Sequence, residues 1–186
     1  MPPKAKYARE EIVESAFQLV REKGADALTA RELAEKLSTS PRPIFTAFEG
    51  MNDLKAEVIS RCTQLYLSFC ENEKASGKYP EYKSLGMAYI RLAKQEKNIF
   101  KLLFMRDTSN ENYNSQNELF NIGRTAVGNQ LNLNFDSAER LHTEVWIWVH
   151  GIASALATSY VDIDFDTISD MLSEVYLGLK GRYENE

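Results

Sequence analysis

The sequence predicts an all-α protein with a small N-terminal three-helix domain and a larger helical domain after it. No alternation of apolar and polar residues lasts more than four or five positions, so no segment reads as a strand. Apolar side chains instead recur at three- and four-residue steps, as they do on one face of a helix. With 186 residues, 44% of them hydrophobic, the chain can bury a substantial core, as one domain or as a small domain plus a larger one.

The first clear helix start is the segment Thr29-Ala30-Arg31-Glu32. It has the pattern of a capping box, in which the threonine hydroxyl accepts the backbone N–H of the glutamate and the glutamate side chain reaches back. The helix that follows carries one apolar stripe, formed by Ala30, Leu33, Ala34 and Leu37. This stripe is expected to pack against another element.

A short polar run then interrupts the periodicity, and a second short helix begins. Ser40 followed by Pro41 predicts a cap with proline at the first helical position, where the missing N–H has no intrahelical partner to lose. This helix is expected to end near Phe48, with Ile44 and Phe45 also on its inner face. The two helices and the turn between them predict a helix-turn-helix.

The remainder of the chain is also predicted to be helical. A long helix is expected over residues 51–74, and a loop over 77–80. The asparagine-rich segment 107–117 is expected to hold a loop and the frayed start of a helix that continues to residue 131. The other helices are predicted over residues 80–94, 98–106, 136–160, with Asp136 as its cap, and from a cap at Asp164 or Asp166 to about residue 183.

A pattern of residues across positions 9–57 carries a family resemblance. The residues concerned are Ile12, Ala16, Phe17, Val20, Gly24, Thr29, Leu33, Ala34, Ser40, Phe45, Phe48 and Leu54. In this pattern the chain resembles a TetR-type transcriptional regulator, and the WIWVHG segment at 146–151 resembles the tryptophan-histidine-glycine signature of one C-terminal subgroup. The resemblance implies a DNA-binding domain over residues 1–50 and an effector-binding and dimerisation domain over 51–186.

The chain departs from the family pattern at three positions. The family commonly has tyrosine where Phe45 stands, histidine where Ala47 stands, and a phosphate-contacting lysine where Met51 stands. The missing lysine puts one expected contact in doubt, and Lys55, Asn52 or the basic residues at 4, 6 and 9 are expected to substitute.

Polar side chains near the start of the second short helix are the candidates for contact with double-stranded DNA. Arginine can pair with guanine, and threonine can meet a phosphate or a thymine methyl. The predicted DNA-contacting residues are Lys4, Lys6, Thr29, Thr39, Ser40, Arg42, Thr46 and Lys55.

The net charge of −5 and a pI near 5.2 oppose the assignment of DNA binding. Residues 1–48, however, hold eight Lys and Arg against seven Asp and Glu, a net charge of +1, which leaves −6 for the rest. We therefore expect modest, salt-sensitive DNA binding that depends on a dimer.

The last two predicted helices are the expected homodimer interface. Small side chains at three- and four-residue steps let another helix approach closely, and the final helix carries a compatible apolar stripe. The predicted interface residues are Gly151, Ser154, Ala155, Thr158, Ile168, Leu172, Val175 and Leu179. The alternative is that the small residues pack inside one chain.

Aromatic side chains in the larger domain are the candidates for an effector site. Most of them are simply expected in the core, but the resemblance implies a pocket for a small hydrophobic molecule of unknown identity. The predicted effector residues are Phe69, Tyr89, Phe104, Phe120, Arg124, Trp146 and His150. Ligand binding is expected to release the protein, by default a repressor, from a palindromic operator.

No sequence pattern indicates catalysis. Glu139-x-x-His142 is a lone match to a motif that a di-iron bundle needs twice, and no phosphate loop or zinc-type cluster occurs. We predict no enzyme activity, metal or cofactor; the alternative function is a helical protein-interaction module without DNA binding.

Cys62 and Cys70 are expected to be reduced, since eight residues of helix separate their α-carbons by about 12 Å. A cytoplasmic protein without membrane contact is expected, because no apolar run approaches about 18 residues and no signal peptide is recognisable.

Overall fold

The structure, a computed structural model, describes residues 7–107 and 114–183. Over those two ranges the chain forms nine α-helices and no strand, which confirms the all-α fold. The helices are α1 (Arg9–Lys23), α2 (Ala30–Lys36), α3 (Arg42–Ala47), α4 (Met51–Ala75), α5 (Glu81–Gln95), α6 (Lys97–Phe104), α7 (Asn114–Leu131), α8 (Phe135–Ala157) and α9 (Phe165–Lys180), with a 3-10 turn at Ala25–Ala27. Part of the predicted loop at 107–117, residues 108–113, lies outside the described residues. None of the described helices is long and apolar enough to cross a membrane.

The chain divides into two compact units. The first consists of Met1–Leu67 and Glu96–Arg106, and the second of Ser68–Gln95 and Asp107–Glu186. The first unit therefore contains α6 in addition to the three predicted N-terminal helices and most of α4. The predicted domain boundary at residue 50 stays a prediction.

The core of the first unit is formed by the apolar stripes of its helices. Fully buried positions include Ile12 on α1, Leu33 on α2, Ile44 on α3, Leu54 on α4 and Phe100 on α6. Each of them lies on an apolar stripe of its helix. The predicted packing role of α2 is therefore confirmed.

An ion pair and an amide hydrogen bond fix α6 to α1 within this unit. The Arg21 guanidinium makes two hydrogen bonds to the Glu96 carboxylate, one of them from Nε at 2.8 Å. Asn98 then donates from Nδ2 to the carbonyl of Arg21 at 3.0 Å. The C-terminal turn of α1 thus has its exposed carbonyl satisfied by the side chain of the neighbouring helix.

Two predicted helix starts in the first unit need correction. Thr29 accepts the Glu32 N–H as predicted, at 3.2 Å. The Glu32 carboxylate does not complete the capping box, because it pairs with Lys23 at 2.8 Å while the Thr29 N–H donates to the carbonyl of Ala27. Ser40 is not the cap of α3: Pro41, with φ −63° and ψ −14°, takes that position without a side-chain hydrogen bond.

The inner face of α3 differs from the prediction at one residue. Ile44 and Phe48 are buried as predicted, but Phe45 is 52% exposed. Residues four apart share a helical face, whereas Phe45 is rotated from Ile44 by about 100° around the axis. In so short a helix only one face can reach the core, so the prediction for Phe45 was wrong.

Helix caps in the second unit are also partly as predicted. Asp164 caps α9 by accepting the N–H groups of Asp166 and Thr167 at 3.0 and 2.9 Å, which confirms one of the two predicted alternatives. The cap of α8 is Asn134, which accepts the Ser137 N–H at 2.9 Å, and not Asp136. Asp136 lies instead in the first turn, where its charge faces the positive end of the helix dipole.

The core of the second unit buries part of the predicted dimer interface. Ile168 is fully buried and Leu172 is 3% exposed within the chain. A Cβ added at Gly86 would lie 3.2 Å from Leu172, which shows how closely α5 and α9 approach. Ile168 and Leu172 are therefore core residues of the monomer, and we withdraw them from the predicted interface. Cys62 and Cys70 are free and buried, as predicted.

A glycine on α7 makes room for a buried histidine on α8. Gly123 faces the imidazole of His142, and an added Cβ would overlap Cε1 and lie 2.7 Å from Nε2. His142 is only 8% exposed, and its Nδ1 lies 2.9 Å from the hydroxyl of Tyr82 on α5. His142, on α8, thus contacts α5 and α7 as well. Its ring fits against α7 because residue 123 is glycine.

Replacing Gly123 with alanine is expected to lower the free energy of unfolding by about 1–3 kcal/mol, because the imidazole must leave its position. Chemical denaturation of the single and double variants measures this. With His142→Ala as the background, Gly123→Ala has no ring to meet and is expected to stabilise by about 0.5–1 kcal/mol through helix propensity. An equal effect in both backgrounds would refute the steric explanation.

Candidate nucleic-acid interface

The turn between α2 and α3 is closed by backbone hydrogen bonds. Ser38 has a left-handed φ of 51°, and its N–H donates to Glu35 while that of Thr39 donates to Ala34, each at 2.9 Å. These bonds satisfy two carbonyls at the end of α2 in the arrangement of a Schellman motif, with serine where glycine is usual. The turn therefore holds the start of α3 in a defined direction.

Five of the eight predicted DNA-contacting residues belong to the segment from the N-cap of α2 to the end of α3. Thr29, Ser40, Arg42 and Thr46 are exposed, and Thr39 is half-buried. The Thr46 hydroxyl donates to the carbonyl of Arg42 at 2.9 Å, so its proton is engaged and its oxygen is left as an acceptor. Of the two predicted roles of Thr46, the thymine contact therefore fits better than the phosphate contact.

The N-terminal basic residues Lys4 and Lys6 lie outside the described residues. The described chain begins next to them at Tyr7, whose hydroxyl donates to the carbonyl of Leu37 at 2.6 Å. Leu37 is the C-cap of α2, immediately before the turn. Tyr7 therefore lies beside the turn of the helix-turn-helix.

Many cations of the first unit are paired with carboxylates. These pairs join Arg9 to Asp53 and Glu57, Arg21 to Glu96, Lys23 to Glu32, Lys36 to Glu22, and Arg61 to Glu14. Arg31, Arg42, Lys55 and, on α6, Lys101 differ, since they are exposed and their side chains make no ion pair or hydrogen bond with any residue in the described part of the chain. One cation on each of α2, α3, α4 and α6 is thus available to an anion.

Arg9 has a structural position and is not available to replace the missing lysine. Its guanidinium donates to the carbonyl of Ala47 at 2.6 Å and to Asp53 and Glu57 at 3.1 Å each. It also covers the Phe48 ring, 4.1 Å from the centroid. The Arg9 guanidinium, by its hydrogen bond, lowers the pKa of Asp53. Arg9 therefore ties α1 to the end of α3 and the start of α4, and Lys55 is the better candidate for a phosphate contact.

Four of the predicted effector residues gather in the second unit. The Tyr89 hydroxyl lies 2.8 Å from Nδ1 of His150, and Trp146 stacks on His150 with ring centroids 5.1 Å apart. Phe120 meets Trp146 edge-on at 6.1 Å. We call these four residues the aromatic cluster. Its side chains come from the three helices α5, α7 and α8, and together they offer apolar surface and polar atoms.

The other predicted effector residues lie apart from the aromatic cluster. Phe104 packs against Tyr66 in the first unit, with centroids 5.4 Å apart, and Phe69 is half-buried on α4. Arg124 covers the Phe135 ring at 4.1 Å and lies 3.6 Å from Glu139. A polar surface depression of about 390 Å³ lies along α8 and includes none of the predicted residues; it is lined by Asp136, Glu139, Arg140, Thr143 and Glu144.

The sequence interpretation missed the Tyr82–His142 pair, which adjoins the aromatic cluster. Phe120 lies 4.4 Å from His142 between ring centroids, so it contacts both groups. A signal for the pair was present, because His142, Trp146 and His150 recur at four-residue steps on α8, and Tyr82 and Tyr89 are seven residues apart on α5. Both spacings put the side chains on one helical face.

The outward faces of α8 and α9 retain apolar surface. Ile147 is 60% exposed and Leu177 is 62% exposed, and a Cβ added at Gly151 or Gly178 would meet nothing within 4 Å. Thr158 is exposed, whereas Ser154, Ala155, Val175 and Leu179 are half-buried. Ile147 was missed by the prediction, although it lies one helical turn before Gly151 on the same face.

Comparison with known proteins assigns the N-terminal part of the chain. Residues 12–58 match the family described as bacterial regulatory proteins, tetR family. No curated protein matches the chain. A TetR-like transcriptional regulator from Rhodococcus sp. RHA1 has a similar structure, with a TM-score of 0.70, 15% identity, and coverage of 97% of this chain and 100% of that one. Mycobacterium smegmatis AmtR aligns over 97% of each chain with a TM-score of 0.45 and 16% identity. The N-terminal part of the chain is thus similar to the tetR family of bacterial regulatory proteins, and the chain has the fold of a TetR-like regulator.

Proposed function

We propose that the protein is a homodimeric repressor that binds a palindromic DNA operator and is released by a small hydrophobic effector. The observation that carries the proposal is the distribution of cations in the first unit. Carboxylates neutralise many of the other cations in the unit, while Arg31, Arg42 and Lys55 stay unpaired among the described residues. A net charge of −5 is therefore compatible with a local surface that attracts phosphate.

In this proposal α3 enters the major groove and Arg42 reads a base edge. Arginine pairs most often with guanine, through its O6 and N7 atoms. Lys55 and the exposed hydroxyls of Thr29 and Ser40 contact backbone phosphates, which position the protein but carry no sequence information. Loss of Arg42 is thus expected to relax specificity, and loss of Lys55 to weaken binding to every sequence alike.

A homodimer supplies the second DNA-binding unit. Two recognition helices about 34 Å apart reach successive major grooves on one side of the duplex, so the operator is expected to be palindromic. The exposed faces of α8 and α9 support this arrangement, because Ile147 and Leu177 offer apolar surface next to the open glycines Gly151 and Gly178. A self-complementary contact of this kind is the commonest form of dimer.

The aromatic cluster is our proposed effector site. An apolar molecule in contact with Trp146 and Phe120 and hydrogen-bonded to Tyr89 or His150 would be recognised by shape and by one polar group. It lowers DNA affinity only to the extent that it binds better to a conformation whose DNA-binding units are wrongly spaced. A thermal-shift screen of small apolar compounds is expected to find ligands that stabilise the wild type and not Trp146→Ala; failure to find any would count against this site.

The main test is selection of DNA fragments from a genomic library by the purified protein at two salt concentrations. Wild type is expected to enrich one palindromic site and to bind it more weakly at the higher salt. Arg42→Ala is expected to lose about 1–3 kcal/mol of binding free energy at this site and to accept other bases in place of one guanine.

Arg140→Ala is the matched control. Arg140 is a largely exposed arginine on α8, 3.8 Å from Glu144, so its loss is expected to leave the selected site unchanged. If no fragment is enriched at low salt, the DNA-binding proposal fails, and a helical protein-interaction module becomes the better account.

A further inference from the structure

The exposed ring of Phe45 is an unusual feature of the proposed DNA-binding surface. It is a large apolar side chain, 52% exposed, on a six-residue helix whose other exposed side chains include Arg42 and Thr46. Phe45 is not part of the core, because Ile44 and Phe48 are the buried side chains on the inner face of α3. Single exposed apolar residues are common, so exposure by itself would not assign a role.

The position of Phe45 relative to Arg42 is the second observation. Residues three apart on a helix are neighbours, with Cβ atoms about 5–6 Å apart. A helix that brings Arg42 to a base edge therefore brings Phe45 to the same groove, within about two base pairs at a rise of about 3.4 Å per pair.

The chemistry of the ring limits what it can contact there. A phenyl group neither donates nor accepts a conventional hydrogen bond, so it cannot pair with a phosphate or with the polar atoms of a base edge. The apolar group that the major groove displays is the C5-methyl of thymine. We infer that Phe45 contacts a thymine methyl and so specifies an A·T pair next to the pair read by Arg42. This inference rests on the proposed function and adds one specificity-determining residue to it.

The test replaces thymine with deoxyuridine, which removes the methyl and keeps every hydrogen-bonding atom. Each thymine of the selected operator is replaced in turn, symmetrically in both half-sites, and the affinity of the full-length protein is measured. At one position the affinity of wild type is expected to fall about 4-fold per half-site, and therefore about 15-fold when both half-sites are replaced. Each factor corresponds to the transfer free energy of one buried methyl group.

Phe45→Ala is expected to bind the thymine operator more weakly and to lose nothing further with deoxyuridine at that position. Because Phe45 is exposed, the variant is expected to fold, and circular dichroism checks this. Leu67→Ala is the matched control: Leu67 is another exposed apolar residue of the first unit, on α4, and its variant is expected to respond to deoxyuridine as wild type does.

Phe45→Tyr separates the groove from the phosphate backbone. A tyrosine hydroxyl against a phosphate would raise affinity for all operators, whereas a ring against a thymine methyl gains nothing from it. The inference is overturned if Phe45→Tyr binds every operator more tightly than wild type does. Operator binding that no deoxyuridine weakens also overturns it but leaves the proposed function standing, whereas absence of any operator binding rejects both.

Discussion

Replacing Ile147 with aspartate is expected to dissociate the proposed homodimer. In a two-fold symmetric contact the substitution enters both copies, so two carboxylates are buried in the interface without partners. We expect the dimer dissociation constant to rise by at least about 100-fold, which corresponds to about 3 kcal/mol. Sedimentation equilibrium measures the change, and operator affinity is expected to fall with it, since one subunit reaches only one half-site.

Ile122→Asp provides the comparison for this prediction. Ile122 is an apolar side chain, 45% exposed, on α7, outside the faces of α8 and α9. Its substitution has the same chemistry and is expected to leave the dimer intact. If Ile147→Asp stays dimeric while Ile122→Asp becomes monomeric, the interface lies on another surface. Leu177→Asp, on α9, is expected to act as Ile147→Asp does.

Helical periodicity and capping residues were enough to predict most of the fold. Thr29 and Asp164 cap α2 and α9 because a short side-chain oxygen next to an apolar stripe satisfies free N–H groups wherever the helix lies. These are local interactions, and the sequence contains all their participants. The misassigned cap of α8 has the same origin, since Asn134 and Asp136 both have suitable side chains and only the backbone conformation distinguishes them.

Properties that depend on packing between distant segments were harder to predict. Phe45 and Ile44 are equally apolar, and the direction of the core relative to so short a helix decides which one is buried. Ile168 and Leu172 looked suitable for a partner subunit, but α5 occupies that face, with Gly86 allowing the close approach. Likewise, the pairing of Arg9 with Asp53 and Glu57 joins residues more than 40 positions apart. The sequence shows these side chains but not their neighbours.

Lowering the pH from about 7 to about 5 is expected to destabilise the protein by about 2 kcal/mol through His142 alone. Burial lowers the pKa of His142 from 6.5 to about 4, and the positive charge of Arg124 adds to the effect. The unfolded chain therefore binds a proton near pH 6.5 that the folded chain does not bind until about pH 4. Stability from this group is complete above the unfolded pKa and declines as the pH falls towards the folded one.

The measurement is chemical denaturation of wild type and His142→Phe at several pH values and one protein concentration, because stability of a dimer depends on concentration. His142→Phe leaves the Tyr82 hydroxyl without its partner and is expected to be less stable at neutral pH, so the pH dependence is the relevant readout. It is expected to lack the decline of about 2 kcal/mol. His150, whose pKa burial also lowers, is present in both proteins and cancels in the comparison. Equal declines in the two proteins would show that His142 titrates alike in the folded and unfolded chain.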